Sequence, residues 1–191
     1  MRIIAGTWRG RRLATPEGAG IRPTSDRVRE ALFGILAHGP AWRRPAGPLP
    51  LDAVVLDGFA GTGAAGIEAL SRGARAAIFL EQDAKAAALI RRNLSQLGAE
   101  QRGLVVERDA TLPGRASRSA DLVLLDPPYR SGLAAPALVA LAESGWLAPD
   151  AVAVVETEAR EAFEAPAGFE LVDHRRYGRA ALHFLRRIGA A

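Results

Sequence analysis

The chain has 191 residues, a formal net charge of +4 and no cysteine. That length suits one α/β domain with a small appendage and a full core, and the absence of thiols excludes disulfides and thiolate metal sites. No apolar stretch approaches membrane-spanning length and the N-terminus lacks a signal-peptide core, so a soluble, cytoplasmic protein is expected.

The basic character belongs to the N-terminal end. Within residues 1–45, Arg2, Arg9, Arg11, Arg12, Arg22, Arg27, Arg29, Arg43 and Arg44 stand against only Glu17, Asp26 and Glu30, which points to a polyanion meeting that end. Arg2 to Ala14 reads as a β-hairpin, with Ile3-Ile4 and Leu13 flanking the Gly6 to Gly10 turn. Its arginines would lie along a ribbon with Trp8 among them, as a nucleic-acid contact or, more blandly, as a solubilising appendage. Thr24 reads as a helix N-cap, with Asp26 in the first turn near the positive dipole end. Val28, Ala31, Leu32, Ile35 and Leu36 recur at helical spacing and form one apolar face, from which Arg27, Arg29 and Glu30 are expected to point away.

Four apolar runs then end in acids. Ala53 to Leu56 leads into Asp57-Gly58-Phe59-Ala60-Gly61-Thr62-Gly63, followed by a helix-like Ala64 to Arg72: strand, glycine turn, helix. Gly61 to Gly66 also spells G-x-G-x-x-G, the dinucleotide fingerprint. Four residues separate its first glycine from the strand, however, and an acid at the strand tip repels a pyrophosphate and welcomes a cation. Ala77 to Leu80 ends in Glu81, where nucleoside-binding doubly wound sheets hold a ribose diol. Leu104 to Arg108 leads into Asp109-Ala110, and Leu122 to Leu125 into Asp126-Pro127-Pro128-Tyr129. Any one acid is readily a helix cap. Four on the same sheet edge suggest a ligand site, because open α/β sheets bind ligands at the carboxyl ends of their strands.

The two prolines fix an extended path that holds a carboxylate, a carbonyl and an aromatic face on one rigid loop. These groups suit a planar base with an exocyclic amine; the alternative is that Pro-Pro simply stops a strand. Farther on, Ala151 to Val155 is strand-like, Glu158 to Phe163 suggests a short helix, and Glu170 to Val172 with Ala181 to Leu185 form an antiparallel pair around Gly178. His38, His174 and His183 show no ligand spacing, so no metal is expected.

These motifs resemble a class I S-adenosylmethionine-dependent methyltransferase acting on exocyclic amines. The chain is similar to the RsmD family, which methylates guanine N2 in bacterial 16S ribosomal RNA. The closer match is carried by Arg2 to Gly6, Trp8 to Arg11, Arg22-Pro23-Thr24, Asp26 to Glu30, the Asp57 to Gly63 loop, Glu68 to Arg72 and Asp126 to Tyr129. The proline-rich Pro40 to Pro50 stretch departs from the family and is expected to lengthen a surface loop. The resemblance implies a Rossmann-like, doubly wound methyltransferase sheet over residues 46–191, with a basic N-terminal hairpin and helix extension over residues 1–45. It implies S-adenosylmethionine held by Thr24, Asp57, Gly58, Phe59, Gly61, Gly63, Glu81, Gln82, Asp109 and Ala110, and catalysis by Asp126, Pro127, Pro128 and Tyr129. Arg2, Trp8, Arg9, Arg11, Arg12 and Arg22 would meet 16S RNA or a small-subunit particle, with the protein acting as a monomer. Adenine-N6 or cytosine-N4 methylation, an NAD-dependent oxidoreductase and a non-catalytic RNA-binding assembly module remain the alternatives.

Overall fold

The computed structural model describes residues 1–16 and 26–189; Arg22 and Thr24 lie outside them. Helix α1 spans Asp26–His38, α2 Ala64–Ser71, α3 Ala84–Leu97 and α4 Ala134–Glu143. Seven strands, β1 (Val54–Gly58), β2 (Ala76–Leu80), β3 (Gly103–Val106), β4 (Ala120–Leu125), β5 (Leu147–Glu158), β6 (Phe169–Tyr177) and β7 (Ala180–Arg187), form one sheet in the order β3-β2-β1-β4-β5-β7-β6. The first five of these are parallel, and β7 joins β5 and β6 antiparallel. The chain therefore winds outward from β1 through β3 and then restarts on the other side at β4. That reversal opens a crevice between the tips of β1 and β4, the usual binding place in such sheets.

Alternation along the strands divides the core between two faces. Val55 packs with Ile67, Leu70, Ile90 and Leu94 on the face of α2 and α3. Its neighbours Val54 and Leu56 pack with Leu138 and Leu141 of α4 on the other. With both faces covered, every residue of β1 and β2 is buried, which is why these runs read as continuous rather than alternating. Helix α3 starts where the Asp83 carboxylate accepts the Ala86 N–H at 2.8 Å and stops where Gly98 turns left-handed at φ 66°.

The N-terminal hairpin is present, and three other local expectations change. Arg2 and Arg12 form an antiparallel bridge, and the N–H groups of Ile3, Gly10 and Leu13 donate to the carbonyls of Arg11, Ile3 and Met1. The hairpin is docked on α2: Ile4 and Ala5 donate to the Glu68 carboxylate at 2.8 and 3.0 Å, and Thr7 donates to the Ser71 carbonyl. Gly6, at φ 81°, lies so close to α2 that a Cβ would sit 1.9 Å from the Ser71 oxygen. Arg29 does not face outward; it is 1% exposed and its guanidinium lies 3.7 Å from the fully buried Glu68 carboxylate, also bonding Asp26 and the Arg2 carbonyl. A charge belongs inside here because a partner from α2 and a backbone carbonyl meet it there.

The Pro40 to Pro50 stretch is more than a longer loop: a 3-10 turn over Pro40–Trp42 buries Trp42 against Phe184 at 5.6 Å, and Leu49 is fully buried. None of its residues lines the cavity described below. Glu158 to Phe163 forms a turn and extended chain, not a helix. There the Glu161 carboxylate accepts from the backbone N–H groups of Arg130 and Glu158, satisfying the turn without helical bonds.

Candidate active site

A cavity of about 650 Å³ opens over the tips of β1, β2, β3, β4 and β5. At one end the β1 tip supplies Asp57, which is buried and accepts the Gly66 N–H of α2 at 2.8 Å. Burial pushes the Asp57 carboxyl up to about 8, against a lowering by the Gly66 bond, and the nearby carboxylates of Asp126 and Glu81 push it the same way. The Glu81 carboxylate divides its oxygens, one taking the Gly61 N–H at 2.7 Å and the other the Asp83 N–H at 2.8 Å. It thereby pins the glycine loop to the start of α3. Phe59 adopts φ 60° and lines the same space. At the β3 tip, Asp109 takes the Thr111 N–H and hydroxyl, both at 2.8 Å, beside buried Ala110.

Across the crevice Asp126, Pro127, Pro128 and Tyr129 line the other end. The Tyr129 hydroxyl donates to buried Glu156 at 2.9 Å, while Arg130 is paired with Glu158. The Asp126 to Tyr129 loop and the residue after it are thus tied to β5 by two carboxylates, Glu156 and Glu158.

The cavity brings together Asp57, Phe59, Gly61, Glu81, Gln82, Asp109, Ala110 and the whole Asp126 to Tyr129 loop. Gly58 and Gly63 are not part of its lining; a Cβ would meet the Leu125 side chain at 2.5 Å at the first and Ile90 at 3.1 Å at the second, so both serve close packing. Among the arginines expected to meet RNA, Arg2, Arg9, Arg11 and Arg12 are exposed, Arg11 bonding the Gln96 carbonyl. Trp8 is half-buried against the core, with the Arg102 guanidinium 5.0 Å from its ring centre. Its ring is already engaged within the protein.

Sequence reasoning missed Glu156, Arg108 and the Tyr177 and Arg179 pair from the β6–β7 turn, all of which line the cavity. Glu156 carried the same signal as the other acids, ending an apolar run. The turn carried none, because only long-range antiparallel pairing brings it there. Among the described residues no group of three metal-ligating side chains is gathered, and no helix is long and apolar enough to cross a membrane.

A doubly wound sheet in this strand order, with acids ringing the crevice and Asp-Pro-Pro-Tyr on the β4 tip, defines a class I methyltransferase. The chain belongs to the family described as Conserved hypothetical protein 95, matched over residues 1–186. It is 37% identical over 188 residues to Ribosomal RNA small subunit methyltransferase D of Escherichia coli K12, covering 98% of this chain and 90% of that one. The protein of the same name from Haemophilus influenzae is 37% identical over 182 residues, 93% of this chain and 89% of its own. The solved structure of the yhhF methyltransferase candidate of Escherichia coli superposes with a TM-score of 0.84 at 38% identity, covering 100% of this chain and 99% of that one. These relatives agree with the RsmD resemblance read from the motifs, and the protein is a methyltransferase.

Proposed function

We propose that the protein transfers a methyl group from S-adenosylmethionine to the exocyclic N2 amine of a guanine in 16S ribosomal RNA. The observation that carries this reading is a single cavity lined by acids at one end and by Asp126 to Tyr129 at the other. The donor set fits the cofactor: Asp57 has no cation paired to it at hydrogen-bond distance among the described residues, and burial with two neighbouring acids opposes its ionisation. An ammonium or sulfonium group in the cavity would offset that cost and stabilise the carboxylate. Asp57 is assigned to the amino group, Glu81 and Gln82 to the ribose, Asp109 and Ala110 to the adenine edge, and Phe59 and Gly61 to the wall between. Thr24 is assigned to the methionine end, with Gly58 and Gly63 shaping the loop.

When bound, S-adenosylmethionine supplies an electrophilic methyl group on a sulfonium leaving group. The chain supplies alignment. An aromatic amine is a poor nucleophile because its lone pair is delocalised into the ring. The Asp126 carboxylate and the Pro127 carbonyl each accept one N–H bond, drawing the nitrogen toward a pyramidal shape. Such positioning contributes several kcal/mol, roughly 7–11 at its best. Pro128 fixes the loop, and the Tyr129 ring stacks on the base, worth about 1–3 kcal/mol, once the base is turned out or presented in a loop.

Residues 1–45 are assigned as the basic RNA-facing extension and residues 46–191 as the methyltransferase domain. Exposed Arg2, Arg9, Arg11 and Arg12, with Arg22, would contact phosphates, and Trp8 would brace that surface. The relatives are named as ribosomal RNA small subunit methyltransferases, which supports 16S RNA or the small subunit as the substrate, and the protein is assigned to the cytoplasm as a monomer. Methyl transfer from labelled S-adenosylmethionine to unmodified 16S RNA, assembled small subunits and DNA tests the assignment. N2-methylguanosine is the expected product on ribosomal RNA; N6-methyladenosine or N4-methylcytosine as the product would overturn it.

A further inference from the structure

The strand register places a second carboxylate beside the reactive loop. Leu125 of β4 and Val155 of β5 are paired neighbours in the parallel ladder, so the residues that follow them, Asp126 just past the end of β4 and Glu156 within β5, start side by side about 4.8 Å apart in backbone spacing. Both line the cavity. Glu156 is 6% exposed, and its carboxylate is oriented by the Tyr129 hydroxyl at 2.9 Å. A buried carboxylate at such a place is an acceptor with a fixed direction, next to the acceptors assigned to the amine.

The bases that carry an exocyclic amine differ in what lies next to it. In guanine the N2 amine is flanked by the ring N1–H, a donor. In adenine and cytosine the corresponding ring nitrogen is a lone pair. We propose that Glu156 accepts the N1–H of the target guanine and so selects guanine over the other amino-bearing bases. The inference rests on the proposed amine methylation and adds to it the residue that reads base identity. Facing adenine or cytosine, the same carboxylate would meet a lone pair with no proton between them. Such a repulsive contact against the wrong base is what turns one acceptor into a specificity element.

2-Aminopurine tests this, since it keeps the N2 amine in place and replaces N1–H with a lone pair. Wild-type enzyme and mass spectrometry first locate the methylated guanine in small subunits lacking the modification. Subunits are then reconstituted from ligated 16S RNA carrying guanine or 2-aminopurine at that position, and single-turnover rates are measured at saturating S-adenosylmethionine. The expected wild-type rate on 2-aminopurine is at least thirtyfold below that on guanine. Glu156→Gln, whose amide can donate to a lone pair, should lower the guanine rate at least thirtyfold and raise the 2-aminopurine to guanine ratio at least tenfold. Glu156→Asp should keep the wild-type ratio at a lower rate, and both variants should bind S-adenosylmethionine within threefold of wild type.

A wild-type enzyme that methylates guanine and 2-aminopurine equally overturns the role of Glu156 even if the variants do not fold. So does a Glu156→Gln variant that changes both rates by one factor. If the wild type methylates no guanine at all, the proposed reaction itself fails, and the two failures are told apart at the first step.

Discussion

Replacing Asp57 with Asn tests how the buried acid is coupled to cofactor binding. Its carboxyl is pushed from 3.8 to about 8, chiefly by burial. At pH 7 roughly one such group in ten is ionised, so a cationic ligand that needs the carboxylate must first displace its proton. Worked through for one site, and with the ligand's own α-amino group about half deprotonated at pH 8, the affinity for S-adenosylmethionine should rise roughly twentyfold between pH 6 and pH 8. Above about pH 8 the gain should end, since the free α-amino group then loses its own proton. Asn mimics the neutral acid and keeps an oxygen for the Gly66 N–H, so the variant should lose both the affinity and its pH slope. Calorimetry across this range, in buffers of different ionisation enthalpy, should show about one proton released per cofactor bound at pH 6.5 by the wild type and none by Asp57→Asn. The sign for stability is opposite. A carboxyl with a raised pKa contributes stability that is fully present below pH 3.8 and lost as pH rises through about 8, so without cofactor the Asn variant should melt higher than wild type at pH 8.5, by about 2 °C or more. A flat wild-type affinity from pH 6 to pH 8, or an Asn variant that keeps the slope, would refute the reasoning.

Asp126→Ala should lower kcat by roughly a hundredfold or more, since its acceptor acts most strongly as charge develops on nitrogen; single-turnover methylation at wild-type speed would reduce the loop to a strand terminator. Tyr129→Ala should cost about 1–3 kcal/mol in kcat/KM through lost stacking, and Tyr129→Phe, which keeps the ring, should recover that stacking part in the same assay while lacking the hydroxyl that orients Glu156. Replacing Arg2, Arg9, Arg11 and Arg12 together should flatten the dependence of log RNA affinity on log salt by up to ~3, about 0.7 per phosphate contact on single strands. Cofactor affinity should be unchanged, and an equal salt slope in filter binding would leave the segment a solubilising appendage. Glu68→Ala should destabilise the fold by about 3–5 kcal/mol in urea unfolding, because it leaves buried Arg29 with Asp26 as its carboxylate partner, unpairs Arg72 and frees the Ile4 and Ala5 N–H groups.

Strands β1, β2 and β4 were legible because both faces are covered, so each appeared as an unbroken apolar run ending at an acid. That rule extends to β5 and Glu156. Arg29 was misplaced because a helical wheel treats every charge as outward-facing, and its partner Glu68 lies 39 residues away on another helix. The Pro40 to Pro50 stretch hid its packing for a related reason: Trp42 finds Phe184 only once β7 is in the sheet. Glu158 to Phe163 had helix-compatible composition, yet the Glu161 carboxylate binds the backbone of the active-site loop instead. Local signals thus located what the strand tips aim at the cavity, and missed what the distant β6–β7 turn adds to it.

Nucleoside mass spectrometry of 16S RNA from a strain lacking the gene, with and without its restoration, tests the central claim most directly. The account predicts that one N2-methylguanosine disappears on deletion, returns with the wild-type gene and does not return with Asp126→Ala. An unchanged N2-methylguanosine content in the deletion strain would contradict it.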